Sequence, residues 1–260
     1  MMDCLQRIVC LSAEAADWLC RIGVWDRVVG TTAFFAQPPD IAPKPRVSGF
    51  SSGNIEEIIA LRPDLVITFS DVQATIAAEL IRRGIQVLAT NQRSLAETEA
   101  TLAQLARIVG REAEAEPLLL RFRTSLAAQD PLPDSPRVYF EEWPDPMVAG
   151  IGWVSELIER AGGRDVFAHL RTKRSVSERM IQPDDVRQAD PEIILVSWCG
   201  KPANFETITS RPGWSRITAV RTRRLMEIPS EDILQPGFRL VYGYERIRAL
   251  LLNSVMAQGV

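Results

Sequence analysis

At 260 residues the chain can form one large domain or two of ordinary size, with a proper hydrophobic core in either case. Apolar residues at 46% and charged residues at 24% are average for a soluble globular protein, and nothing in the sequence suggests low complexity or a disordered tail. A formal net charge of -3 gives no footprint of a polyanion binder, so nucleic acid is not an expected partner, and no apolar run is long enough to insert in a membrane.

The chain opens on a strand, Arg7 to Leu11, followed by Ser12 as a helix N-cap and a helix that Gly23 stops. The residues before it hold no basic n-region, apolar h-region or cleavage site, the start expected of a cytoplasmic chain. A strand at Val28 to Thr32 leads into Ala33 to Gly53. There Pro38, Pro39, Pro43 and Pro45 with Ser and Gly predict a long irregular loop. Next come a short helix and strand, a helix from about Asp71 to Arg83, and the strand Gln86 to Ala89. Strands and helices in alternation predict a parallel sheet.

From Ser94 the pattern is helical, one helix ending near Gly110 and a second running from about Glu112 to Ala128, closed by Asp130-Pro131-Leu132-Pro133-Asp134. A strand at Arg137 to Glu141, a turn at Pro144 and Pro146, and a helix from Trp153 to Ala161 stopped by Gly162-Gly163 begin a second series. A basic loop, another helix and strand, a strand near Arg224 to Ile228 and a terminal helix from about Gly237 complete it.

The two series share an internal repeat. Glu56 to Ile67 reads EEIIALRPDLVI, and Asp184 to Leu195 reads DDVRQADPEIIL. Each is a short helix with acids in its first turn, a proline that ends it, an acid, and an apolar run of strand length. The fold class expected is therefore α/β, as two Rossmann-like lobes with parallel-type sheets, joined by a single long α-helix, with a ligand cleft between the lobes. The expected domains are residues 1–110, a connecting helix at 111–130, and residues 131–260. A single helix makes a stiff connection, so small relative motion of the lobes is expected.

Other chemistry finds little support in the residues. Gly150-Ile151-Gly152-Trp153-Val154-Ser155 is a truncated dinucleotide pattern without its third glycine, and Trp153 would crowd a pyrophosphate. His169 is the one histidine, which excludes a multi-histidine metal site and argues against a His-based triad; it reads as a loop residue, with coordination of cobalt or iron as the lesser alternative. Haem through Tyr139, Tyr242 or Tyr244 is a minor alternative. Cys4, Cys10, Cys20 and Cys199 lack metal-ligand spacing, and Cys10 and Cys20 read as reduced core residues. No metal site, no required cofactor and no catalytic constellation is expected.

Five segments in the same order carry a resemblance. RIVCLSAEAADWLCRIGVWDRVVGTT, NIEEIIALRPDLVIT, WVSELIERAGGRDVF, PDDVRQADPEIILVS and RPGWSRITAVRTRRLMEIP resemble substrate-binding proteins of ABC importers for cobalamin and iron-siderophores, the helical-backbone class. FEEWPDPMVAGIGWVSELIERAGG is most similar to the cobalamin-binding branch. The resemblance implies non-catalytic binding of cobalamin or a related corrinoid in the interlobe cleft, by a monomer, on behalf of importer membrane subunits in the periplasm. It implies docking acids at Glu56 and Asp184, and ligand-facing Phe34, Phe50, Phe69, Trp143 and Trp198, with Asp232 and Arg239 as acidic and basic cleft positions. Loops at strand carboxyl ends border such a cleft, and flat aromatic walls suit a broad apolar disc. The alternative is a leaderless intracellular carrier or sensor of a corrinoid or another bulky ligand such as a siderophore or haem. The two differ in compartment: the resemblance implies the periplasm, and the start of the chain favours the cytoplasm unless a leader precedes it.

Overall fold

Ile8, Val9 and Cys10 are buried on both faces, as a central strand of a parallel sheet must be, and they form β1. The computed structural model describes residues 5–128, 132 and 135–256, with side chains through 253. Cys4 and the proline-rich stop at Asp130 to Asp134, apart from Leu132, lie outside the described residues. The chain divides into two compact units. The first takes the residues up to Gln92, Ala96–Arg123 and Gln235–Phe238, and the second takes Arg93–Leu95, Thr124–Leu234 and the residues from Arg239 on. This differs from boundaries at 110 and 130: nearly all of both central helices belongs to the first unit, and a short late segment returns to it.

In the first unit β1 (Ile8–Cys10) is followed by α1 (Ala13–Arg21), β2 (Val28–Thr32), β3 (Arg46–Ser48), α2 (Ile55–Ala60), β4 (Leu65–Phe69), α3 (Ala74–Arg82), β5 (Val87–Thr90), α4 (Leu95–Val109) and α5 (Glu112–Ser125). The sheet order is β3-β2-β1-β4-β5, and every pairing is parallel. The proline-rich stretch expected to be wholly irregular contains β3, because Arg46-Val47-Ser48 lies past the last proline and pairs with β2. Val9, Leu11, Val47, Ile58, Val66, Ile76 and Leu80 form one core cluster. Trp18 is fully buried, donates its indole N–H to Leu102 O at 2.8 Å, and stacks on Phe238 at 6.1 Å. Phe238 lies in the returning segment and also meets Phe122 of α5 at 6.5 Å.

The second unit contains β6 (Arg137–Pro144), β7 (Met147–Ala149), α6 (Gly152–Arg160), β8 (Arg164–Asp165), α7 (Pro183–Ala189), β9 (Ile193–Val196), α8 (Phe205–Thr209), α9 (Thr218–Arg221), β10 (Leu225–Glu227), α10 (Ser230–Ile233) and α11 (Leu240–Met256). Its sheet order is β10-β9-β6-β7, with β8 beside β6. β10, β9 and β8 run parallel to their neighbours, whereas β7 folds back antiparallel on β6 through Asp145-Pro146, whose peptide bond is cis. The terminal helix begins at Leu240, after the expected Gly237.

The repeat is a matched pair of structural units. Asn54 caps α2 by accepting from the Glu57 N–H at 3.3 Å, and at the start of α7 the Gln182 N–H donates to Asp185 at 2.8 Å. Each helix is left through a residue in the left-handed region, Arg62 at φ 46° and Asp190 at φ 41°. An arginine from the start of the neighbouring strand then covers the free carbonyls of the helix end. Arg7 donates to Leu61 O at 2.7 and 3.0 Å and to Arg62 O at 3.1 Å, and Arg137 donates to Asp190 O at 2.9 Å. The acid after each proline returns the favour, Asp64 accepting from the Arg7 N–H and Glu192 from the Arg137 N–H, both at 2.8 Å.

Candidate ligand-binding site

In the first unit the parallel strands bring their carboxyl ends to one edge of the sheet, so the loops after β2 and β3 and the end of β4 put Phe34, Phe50 and Phe69 there. The rings of Phe34 and Phe50 meet edge to face at 6.2 Å, Phe50 is 52% exposed, and Phe34 and Phe69 are half-buried. A residue not foreseen from the sequence organises them. Gln73 is 3% exposed and uses its whole amide: its NH2 donates to Leu11 O and Phe50 O, both at 3.0 Å, and its carbonyl accepts from the Phe69 N–H at 2.9 Å. Three strand-end loops are thus tied to one buried side chain, and Gln235 holds a fourth by donating to Phe34 O at 3.2 Å. The Gln73 role had no sequence signal, since its partners come from three different loops.

Close by, in the first turn of α1, Glu14 is 7% exposed. Burial pushes its carboxyl up to about 7, with hydrogen bonds from its own backbone N–H and from Ser12 opposing the shift. No guanidinium pairs with it among the described residues.

In the second unit the strand-end residues are charged as well as aromatic. Trp143, on β6, is half-buried, and its indole N–H is committed to Asp145 O at 3.0 Å, which leaves the ring face as its remaining contact surface. The Lys201 ammonium lies over that face at 4.1 Å from the centroid and 5.3 Å from the Trp198 ring. Trp198 is 4% exposed and belongs to the core, which corrects the expectation of an open aromatic wall there. Its N–H donates to Glu141 at 3.2 Å.

Glu141 is fully buried and receives Arg211 in a two-point pair, with Nη2 to Oε1 at 3.0 Å, together with the Tyr139 hydroxyl at 3.1 Å and Trp198. Burial, reinforced by the Glu141 charge, holds the Tyr139 phenol well above its usual range. Glu142 is paired in turn by Arg179, 1% exposed, at 2.5 and 3.1 Å, and the same guanidinium donates to Ala149 O at 2.6 Å. Tyr139 and Tyr244 are core residues, the single hydroxyl proton of the latter shared between Ala127 O and Arg160 O, so neither phenol is open to an iron.

The two docking candidates are surface carboxylates in the first turns of the repeat helices, Glu56 71% and Asp184 65% exposed at the side chain. Glu56 pairs with Arg83 at 2.5 Å, and Asp184 pairs with Arg187 of its own helix at 3.1 Å. Asp232 and Arg239 are brought together at 2.6 Å, but Asp232 is 1% exposed and also takes Arg246 at 3.2 Å. They line an open depression of about 480 Å³ on α10 and α11 with Tyr242, Glu245 and Ala249. The glycines of the truncated dinucleotide pattern have a packing reason: a Cβ on Gly152 would stand 2.6 Å from Arg171 O and 2.7 Å from Arg93 O. His169 is exposed, and among the described residues no cluster of three metal-ligating side chains occurs.

Relatives place these features in context. The chain is 28% identical over 96% of its length to a protein of Halobacterium salinarum named cobalamin-binding protein, spanning 70% of that protein. It is 24% identical over 93% of its length to an uncharacterized ABC transporter substrate-binding lipoprotein, YvrC, of Bacillus subtilis, covering 78% of it. Among solved structures, the periplasmic vitamin B12-binding protein BtuF of Vibrio cholerae superposes with a TM-score of 0.75 at 19% identity, with 96% of this chain and 98% of that one covered. The periplasmic heme-binding protein RhuT of Roseiflexus sp. RS-1 gives 0.82 at 20% identity, with 96% and 99% covered. Both structural likenesses establish the fold. The family model described as periplasmic binding protein matches residues 8–231, and the chain belongs to that family.

Proposed function

We propose that the chain binds cobalamin or a related corrinoid, without transforming it, as the substrate-binding component of an ABC-type importer. The observation that carries this reading is the aromatic set at the strand carboxyl ends, Phe34, Phe50 and Phe69 in one unit and Trp143 in the other. It stands in a chain similar over nearly its full length to a cobalamin-binding protein. A corrin is a broad, largely apolar disc with an amide fringe, and such a disc buries best against flat rings that need no hydrogen-bond partner of their own. Gln73 supports the role by fixing Phe50 and Phe69 from beneath, which limits the ordering cost of binding. Trp198 backs Trp143 from the core in this reading. Asp232 and Arg239 serve as structural partners in α10 and α11.

Glu56 and Asp184 are the docking pair of this proposal. Each is exposed near a helix N-terminus and held by one arginine, so each can exchange that partner for a basic pocket on a membrane subunit. The work of such a protein lies outside the cytoplasmic membrane. Purified protein titrated with cyanocobalamin is expected to give a calorimetric or visible-spectrum signal at about micromolar affinity or tighter. Silence with cyanocobalamin and dicyanocobinamide alike removes the corrinoid assignment. Glu56→Lys with Asp184→Lys should retain that binding and lose transporter-coupled uptake; retention of uptake removes the docking role.

A further inference from the structure

At the strand ends of the second unit the two carboxylates of β6 are each neutralised by an arginine, Glu141 by the half-buried Arg211 and Glu142 by the buried Arg179. Glu227, at the end of β10, accepts the N–H of Ala203 at 2.9 Å and so holds the loop that carries Lys201. Lys201 itself has no carboxylate partner among the described residues and rests on the face of Trp143. Lys201 is thus a cation held against the half-buried Trp143 ring and not by an ion pair. A ring seated on Trp143 must displace that ammonium from the indole face. A neutral rim gives it nothing in return, whereas a carboxylate or phosphodiester on the rim takes it up in a charge-assisted hydrogen bond stronger than the cation–π contact it leaves.

We infer that Lys201 is a specificity-determining residue that selects planar ligands bearing an anionic group, a carboxylate or a phosphodiester, on the rim adjacent to Trp143. The inference rests on the ligand reading proposed above and narrows it. Lys201 is exposed, so its replacement leaves the core intact.

The test is a titration of the full chain and of Lys201→Ala, Lys201→Arg and Lys201→Glu with three probes. Haemin carries rim carboxylates, cyanocobalamin a phosphodiester, and dicyanocobinamide neutral amides only. Lys201→Ala is expected to weaken the anionic probe about tenfold or more, with the loss shrinking at high salt, and to change dicyanocobinamide by about twofold or less. Lys201→Arg should keep the preference and Lys201→Glu invert it. A loss confined to haemin identifies the carboxylate as the recognised group, and one confined to cyanocobalamin identifies the phosphodiester. Equal losses for all bound probes, or no loss for any, overturn the role of Lys201 while the binding reading stands. Failure of the unaltered chain to bind any probe overturns both.

Discussion

Each unit has a carboxylate buried at a strand end or just past one, Glu14 in the first and Glu141 in the second, and the two are treated oppositely. Glu141 of the second unit receives four hydrogen bonds, two from Arg211 and one each from Tyr139 and Trp198. Glu14 of the first is 7% exposed with no guanidinium, and burial lifts its carboxyl to about 7. The difference shows that the same scaffold can keep an acid in its interior by neutralising it with a cation or by favouring its protonated form. The second unit takes the first course at both acids of β6, Glu141 and Glu142. Its edge is therefore locked by ion pairs, while the edge of the first unit is held by the neutral amide of Gln73.

The comparison can be broken most directly at Arg211. Arg211→Met leaves Glu141 buried without its cation, and a loss of about 3–5 kcal/mol is expected in chemical denaturation. A loss under about 1 kcal/mol would mean that water or the remaining donors replace the guanidinium, and the contrast with Glu14 would disappear.

Glu14 gives the next largest effect, with the sign set by its raised folded-state pKa. Below about 4.5 both folded and unfolded chains hold the proton and its contribution is complete. As pH rises to about 7 the unfolded chain ionises first, so the contribution is lost across that window. Above it the folded state bears a charge cost of up to roughly 3 kcal/mol. Glu14→Gln should therefore match the parent near pH 4 and exceed it in melting temperature near pH 8. An unchanged difference between the two pH values would show that Glu14 is solvated.

Arg7 and Arg137 sharpen the comparison from the opposite end of the strands, where the units agree. Arg7→Ala and Arg137→Ala should each cost about 1–3 kcal/mol by uncovering the carbonyls at the ends of α2 and α7. Costs equal within about 0.5 kcal/mol support equivalent copies, and a larger gap would show that the repeat diverges there too. The smallest stability effect belongs to the aromatic edge: Phe50→Ala, at a residue 52% exposed, should change stability by about 0.5 kcal/mol or less while weakening ligand binding in the same titrations.

Much of this architecture was legible in the residues, and the rest fails for identifiable reasons. The repeat was visible because acid, apolar spacing, proline and β-branched run occur together in each copy, and α2-β4 and α7-β9 are its two realisations. The arginines that complete each copy were not, because Arg7 and Arg137 sit far from Leu61 and Asp190 in the chain. β3 was hidden by the prolines before it, and β7 by having only three residues. At the site, Phe34, Phe69 and Trp143 were nameable because each lies at or just past the end of an expected strand, whereas Phe50 follows the unforeseen β3 and was reached through the family resemblance. Trp198 occupies the same kind of position yet packs inward, since Glu141 draws its N–H into the core. Position after a strand says where a residue starts, and only its neighbours decide which way the ring turns.

The first unit is completed by Gln235–Phe238, residues that follow almost the whole of the second in the chain. During synthesis, a nascent chain that has emerged only as far as α5 presents Trp18 and Phe122 without Phe238, the ring that stacks on one and touches the other. The first unit to leave the ribosome thus waits for most of the second before it is finished, and a gene fragment ending at Arg123 would yield a sheet with an unfilled aromatic core.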